Sequence, residues 1–160
     1  MCLTPPTLRA HSSFTSCWGR LLLAALAGGI AASGSALLLG WALNLPSEVT
    51  LSLAPKSVTA PVAMGIAEKI GGIPALAAVF AVVTGLVGAL SGKYLFDALR
   101  IPTNPSGWAA RGFALGTVSH GLGAARALQV NADAGAYAGL ALGLQVVLAS
   151  ALIPLAFRWL

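Results

Sequence analysis

Two short stretches hold most of the chemistry this sequence offers. "APKSVTAP" places Lys56, Ser57 and Thr59 between Pro55 and Pro61. "GTVSHGLG" places Thr117, Ser119 and His120 beside Gly121 and Gly123. Every one of these six polar side chains can donate a hydrogen bond, and two can carry positive charge. The four acids, Glu48, Glu68, Asp97 and Asp133, lie elsewhere, at the ends of apolar runs. A cation site in an apolar interior would call for a carboxylate. Donors without acids suit a small anion instead, a carboxylate held by N–H groups, hydroxyls and Lys56. Histidine changes charge near neutral pH, which fits His120 to couple protons to such binding.

The same residues make a poor enzyme. Ser119 and His120 are sequence neighbours whose side chains diverge, and no acid is near to orient the histidine. His11 and His120 are too far apart in sequence to suggest a metal ligand set. "GLGAAR" follows no strand, so it is no dinucleotide fingerprint. Cys2 and Cys17 fit no metal framework, and a disulfide between them would staple nothing. The net charge of +5 comes from cations scattered singly at the edges of apolar runs. Without aromatics interleaved in a basic patch, nucleic acid is not the expected partner. No cofactor and no metal are called for.

What must position the donors is a membrane protein. Hydrophobic residues make up 58% of the 160-residue chain and charged residues 8%, and mean hydropathy is +0.88. Soluble domains carry about a quarter charged residues, so no water-facing surface can be built here and the lipid bilayer is the first partner. Residues 21–45 form an uncharged run long enough to span. A cleaved signal peptide is the rival reading, because "ASGSA" resembles a cleavage site. The run continues through "LLLGWAL" beyond those small residues, which favours a retained span. Residues 73–92 and 134–157 are two further spans. Residues 1–19, polar with a Pro5-Pro6 pair, read as a disordered tail, and 20–160 as one transmembrane domain.

Between the spans lie residues 47–72 and 106–131. Each follows a proline (Pro46, Pro105), opens on a serine suited to cap a helix, and has two short apolar arms around a polar interruption. The pattern is a weak internal repeat with a period of about 60 residues. An arm of about 10–12 residues rises about 15–18 Å, half the hydrocarbon thickness. Each segment is therefore a re-entrant hairpin with its tip near the midplane, or a spanning helix broken at its centre. Hairpins put Arg9, Arg20, Arg100 and Arg126 on one side with Lys93 and Arg111 nearby, and Glu48, Glu68, Lys69 and Arg158 on the other. The positive-inside rule favours that arrangement, with the N-terminus in the cytoplasm. The expected fold is all-α and integral to the membrane, with about three full transmembrane helices plus two interrupted or re-entrant helical hairpins.

One span separates the two hairpins, so they enter from opposite sides and their tips can meet. Ser57 or Thr59 is placed to cap the second arm of the first hairpin, with Pro61 in its first turn. Ser119 is placed to cap the second arm of the other. Two positive helix ends then point at one cavity, and paired interrupted helices are a sequence pointer to a transporter's substrate site. Blander roles stand beside these. Lys56 can snorkel to the interface, His120 can satisfy carbonyls at a helix break, and Arg126 can anchor at the interface. Gly121 and Gly123 can simply permit the turn. Gly135, Gly139 and Gly143 form a stripe suited to helix packing, as do the pairs Gly88 with Gly92 and Gly112 with Gly116.

"LAPKSVTAPVAM", "IGGIPALAAVFAVVTGLVGA" and "GFALGTVSHGLGAARAL" resemble the LrgB/CidB family of membrane proteins, from about residue 21 to the C-terminus. The two polar interruptions are the most specific part of the match. The resemblance implies a multi-pass protein of the bacterial inner membrane. Bacterial members are antiholin-like or holin-like modulators of murein hydrolase activity and autolysis, with a small holin-like membrane partner of the LrgA/CidA type. Plastid relatives translocate glycolate and glycerate, and some bacterial members are linked to pyruvate movement. Transport of small monocarboxylates by a homo-oligomer is the leading implication, and modulation of autolysis without transport is the alternative. Members carry further spans before the region equivalent to residue 21. "MCLTPPTLRAHSSFTSCW" does not resemble that region, so this chain is expected to match the C-terminal part only.

Overall fold

The structure is a computed structural model that describes residues 10–158. It is all-helical among these residues: α1 (Ala10–Ala42), α2 (Ser47–Leu53), α3 (Ala60–Ile70), α4 (Pro74–Ala98), α5 (Pro105–Val130) and α6 (Ala132–Phe157). Three stretches are long and apolar enough to cross a membrane, Trp18–Ala42, Pro74–Ala98 and Ala132–Phe157. These are the three expected spans. Their packing also suits a bilayer. The buried hydrophobic residues are mostly alanine, including Ala25, Ala63, Ala77, Ala81, Ala138 and Ala141, while Leu23, Ile30, Trp41, Leu90 and Val147 point outward. Small residues inside and large apolar ones outside is how helices pack when the solvent is lipid.

The tail reading needs correcting. α1 begins at Ala10, so residues 10–19 belong to a helix and not to a disordered tail, while residues 1–9 lie outside those described. Between Pro6 and Gly19 the chain has no helix breaker, and extending an existing helix gains a hydrogen bond for each residue fixed.

The internal repeat is visible at the helix ends. Two residues past the end of α1 lies Asn44 at φ 52, and two past the end of α4 lies Arg100 at φ 54. The following amides bond back five residues, Leu45 N–H to the Gly40 carbonyl and Ile101 N–H to the Phe96 carbonyl. This left-handed stop satisfies carbonyls that the helix end leaves free. Each is followed by a proline-led segment that breaks partway. In the first segment α2 and α3 are separated by turns over residues 54–59. In the second, α5 is interrupted at the single residue His120 (φ 41, ψ −131).

Among the arms, α3 with 11 residues has the expected length, but α2 is shorter and the capping differs. α2 has 7 residues, which rise only about 10 Å. Ser47 and Ser106 cap nothing. Pro46 occupies the N-cap of α2 with no side-chain bond, and α5 is capped by Asn104, whose Oδ1 accepts from Gly107 N–H at 2.9 Å. Proline at the first helical position leaves the cap to the residue before it, and asparagine fills that role well. Ser52 works across the fold instead. Its Oγ accepts the Ile73 N–H at 2.7 Å, at the start of α4, and donates to the Glu48 carbonyl at 2.6 Å.

The break at His120 lets the two arms of α5 lie side by side. A Cβ built on Gly123 would come 2.6 Å from the Leu115 carbonyl oxygen, eight residues back along the chain. The first arm runs parallel to α6. Gly112 and Gly116 sit so close to the Ala134 and Ala138 carbonyls that any Cβ there would overlap them. On its other side, the first arm and the break pack on α4, where Gly85 faces the His120 ring, Gly88 faces Ser119 and Gly92 faces Leu115.

Candidate functional site

The two breaks converge on one turn of α4. Val58, from the first break, packs in a cluster with Ala63, Ala77, Ala81 and Ala149. His120, from the second, places Nε2 2.7 Å from the Ala81 carbonyl oxygen. Since a carbonyl only accepts, Nε2 carries the proton in this bond. The imidazole is buried, and its space exists because residue 85 is glycine; a Cβ there would come 2.6 Å from the ring. The histidine therefore serves a carbonyl of the neighbouring helix, not one freed by its own break.

His120 also carries the backbone reversal itself. A positive φ is costly for a residue with a Cβ, and Gly121, the next residue, has none of that cost. Yet Gly121 and Gly123 are not among the positive-φ residues. The conformational freedom expected of those glycines is thus unused. Gly123 contributes close approach to Leu115 and Ser119, while a Cβ on Gly121 would meet nothing within 4 Å.

The other candidate donors are only partly brought together. Thr117 and Ser119 are buried with His120 at the end of the first arm. The Thr117 hydroxyl donates to the Phe113 carbonyl at 2.8 Å, a bond within its own helix. Its methyl meets Gly28 of α1. In the first break Pro55 and Ser57 are buried, and Lys56 is half-buried. Thr59 is the N-cap of α3, with Pro61 in the first turn as expected, but its side chain makes no capping bond. Among the described residues, no hydrogen bond or ion pair engages the Lys56 ammonium. In the glycine stripe of α6, Gly135 meets Leu128, whereas Gly139 and Gly143 meet nothing within 4 Å inside the chain.

A mid-helix cavity of about 240 Å³ opens between α1, the first break and α6, and neither Lys56 nor His120 lines it. Its polar members are Ser33 and Gln145. The Ser33 hydroxyl donates to the Ala54 carbonyl at 2.7 Å, tying α1 to the first break. Gln145 is buried, packs on Gly29, and its Oε1 has no partner among the described residues. Sequence reasoning passed over Gln145. The available signal was an amide in the middle of an apolar span, where a polar side chain is expensive.

A second polar centre lies at the far end of α4. The buried Arg111 guanidinium meets Asp97 at 2.9 Å and also donates to the Ile101 carbonyl. Its carbon lies 5.7 Å and 5.5 Å from the ring centres of Phe96 and Trp108, within reach of a cation–π attraction.

The profile of the LrgB-like family matches residues 1–159. The chain belongs to the LrgB family. Relatives extend along most of it. An uncharacterized protein of Haemophilus influenzae is 38% identical over 136 residues, 85% of this chain and 54% of the relative. YwbG of Bacillus subtilis, also uncharacterized, is 34% identical over 134 residues, 84% of this chain and 57% of the relative. The holin-like protein CidB of Staphylococcus aureus is 31% identical over 113 residues, 71% of this chain and 48% of CidB. The chain thus spans about half the length of these LrgB-family relatives. No solved structure matches it. Both breaks fall within the part of the chain that the LrgB profile covers.

Proposed function

We propose that this LrgB-family chain forms the substrate-handling part of a membrane transporter for small monocarboxylates of the glycolate, glycerate or pyruvate type. It works as a multi-pass protein of a bacterial inner membrane, as a homo-oligomer. The two broken segments act as re-entrant hairpins entering from opposite faces. The observation that supports this reading is the convergence of two helix breaks, from separate segments, on the Ala77–Ala81 turn of α4. Non-helical backbone at that depth is tolerated where it is buried in protein or lines a cavity, and paired discontinuous helices are the usual frame of a transporter's binding site. Lys56 supplies the charge that recognises the carboxylate, and Ser57, Thr59, Thr117, Ser119 and His120 supply hydrogen bonds as the tips rearrange around it.

Removing Lys56 tests the recognition. Uptake of radiolabelled glycolate and pyruvate is followed in proteoliposomes holding the chain or its Lys56→Ala variant. Losing one partner of a desolvated charge pair costs about 2–5 kcal/mol, so uptake at low substrate is expected to fall at least about tenfold. Unchanged uptake by a correctly inserted variant removes the anion-site reading.

A second reading is favoured by the name of the Staphylococcus aureus relative, holin-like protein CidB. In it the chain moves no carboxylate and modulates murein hydrolase activity with a small holin-like membrane partner of the LrgA/CidA type. It predicts altered lysis on expression together with no uptake by the purified chain.

A further inference from the structure

Three cations and one acid gather around a cavity of about 210 Å³ at the end of α4 remote from the breaks. Lys93 and Asp97 come from α4, Arg111 from the first arm of α5, and Arg126 from the second. Asp97 offsets one charge, so the lining keeps a net charge of about +2 at neutral pH. The rest of the lining is largely apolar and includes Phe96, Trp108 and Leu115.

Arg111 anchors the cavity and has capacity to spare. Its Nη2 serves Asp97 and the Ile101 carbonyl. Nε is buried without a partner, and no hydrogen bond engages Nη1 among the described residues. A guanidinium presents five donors in a planar fork that matches an oxyanion. Phe96 and Trp108 hold that fork in place from its sides. Lys93 and Arg126 are both exposed, and Arg126 Nη1 makes only a long bond, 3.5 Å, to Gln129 Oε1, which a ligand can replace.

We propose that this cavity binds a phosphate-type oxyanion, and that its source is the headgroup of an anionic phospholipid. Position argues for the lipid. The cavity lies toward the end of a span-length helix and combines cations, a tryptophan and apolar walls, as interfacial lipid sites do. The proposal is independent of carboxylate transport, because it uses none of the donors at the breaks.

The test measures phospholipid retained by the full chain after extraction from vesicles of phosphatidylcholine mixed with phosphatidylglycerol. A parallel arm measures whether inorganic phosphate raises the unfolding temperature in phosphatidylcholine alone. Arg111 is buried and its loss can disturb folding, so the informative variant is Lys93→Gln with Arg126→Gln, two exposed positions. Retained phosphatidylglycerol is expected to exceed phosphatidylcholine for the parent chain. It is expected to weaken about twenty-five-fold in the double variant, at roughly fivefold for each cation near an anionic surface. The control pair Arg20→Gln with Arg100→Gln removes the same charge outside the cavity and is expected to keep the preference. Stabilisation by inorganic phosphate that the double variant loses, without a lipid preference, upholds the oxyanion site and overturns its lipid source. No preference and no phosphate effect, or an equal loss in the control pair, overturns the site.

Discussion

Gly116→Leu is expected to unseat the broken helix from α6 and to cost about 3 kcal/mol or more, the upper end of what overpacking does. The reason lies in what the new side chain would strike. At Gly88 the obstacle is the Ser119 side chain. At Gly116 it is the Ala138 carbonyl, part of the backbone of α6. No rotamer change relieves that clash, so the first arm of α5 must move as a body. Gly112 repeats the situation one turn earlier against Ala134. Gly139→Ala and Gly143→Ala are the controls, because a Cβ at either meets nothing in the chain. They are expected to be neutral or stabilising by up to about 1 kcal/mol from helix propensity. Unfolding in mixed detergent micelles measures all three. A neutral Gly116→Leu would mean that α5 and α6 do not touch through these glycines.

The second large effect is an inversion of the usual helix rule at His120. His120→Ala is expected to cost about 3 kcal/mol, about 1 from the hydrogen bond to Ala81 and about 2 from the void beside Gly85. Alanine keeps a Cβ on a residue at φ 41, and strain of that kind costs about 1–3 kcal/mol. His120→Gly loses the same bond and the same ring but sheds the strain. Glycine should therefore be the more stable replacement by about 1 kcal/mol or more, where inside an ordinary helix it is the worse by a similar amount. The same unfolding assay decides the sign. Alanine proving the better replacement would show that residue 120 continues a regular helix.

The three spans were legible in the sequence because an uninterrupted apolar run of that length has few other uses. The two breaks were legible because proline, glycine, serine, threonine, lysine and histidine have no cheap place in such a run. The Asn104 cap was within reach too, since it directly precedes Pro105 at a helix start. Other features were hidden for a physical reason. A helix apolar on every side does not announce which face meets protein, so the sequence could not say that Gly85 and Gly88 receive the second break and Gly92 the arm before it, while Gly139 and Gly143 receive nothing within the chain. The same ambiguity hid Gln145 against Gly29. The Arg111–Asp97 pair joins residues on different helices, and only the way α4 packs on α5 brings them together. His120 was singled out for its side chain, whereas its backbone proved the more unusual feature.

The proposed transporter has its two broken segments enter the membrane from opposite faces and meet on the Ala77–Ala81 turn of α4. Single cysteines at Glu48, Lys69, Ser106 and Gln129, introduced after Cys2 and Cys17 are changed to serine, test this in sealed, oriented vesicles with a membrane-impermeant maleimide. The expected result is that positions 48 and 69 label from one face and positions 106 and 129 from the other. Cysteines at Ser57 and Ser119 should resist labelling from both. If positions 48 and 69, or positions 106 and 129, label from opposite faces, that segment crosses the membrane and the account is wrong.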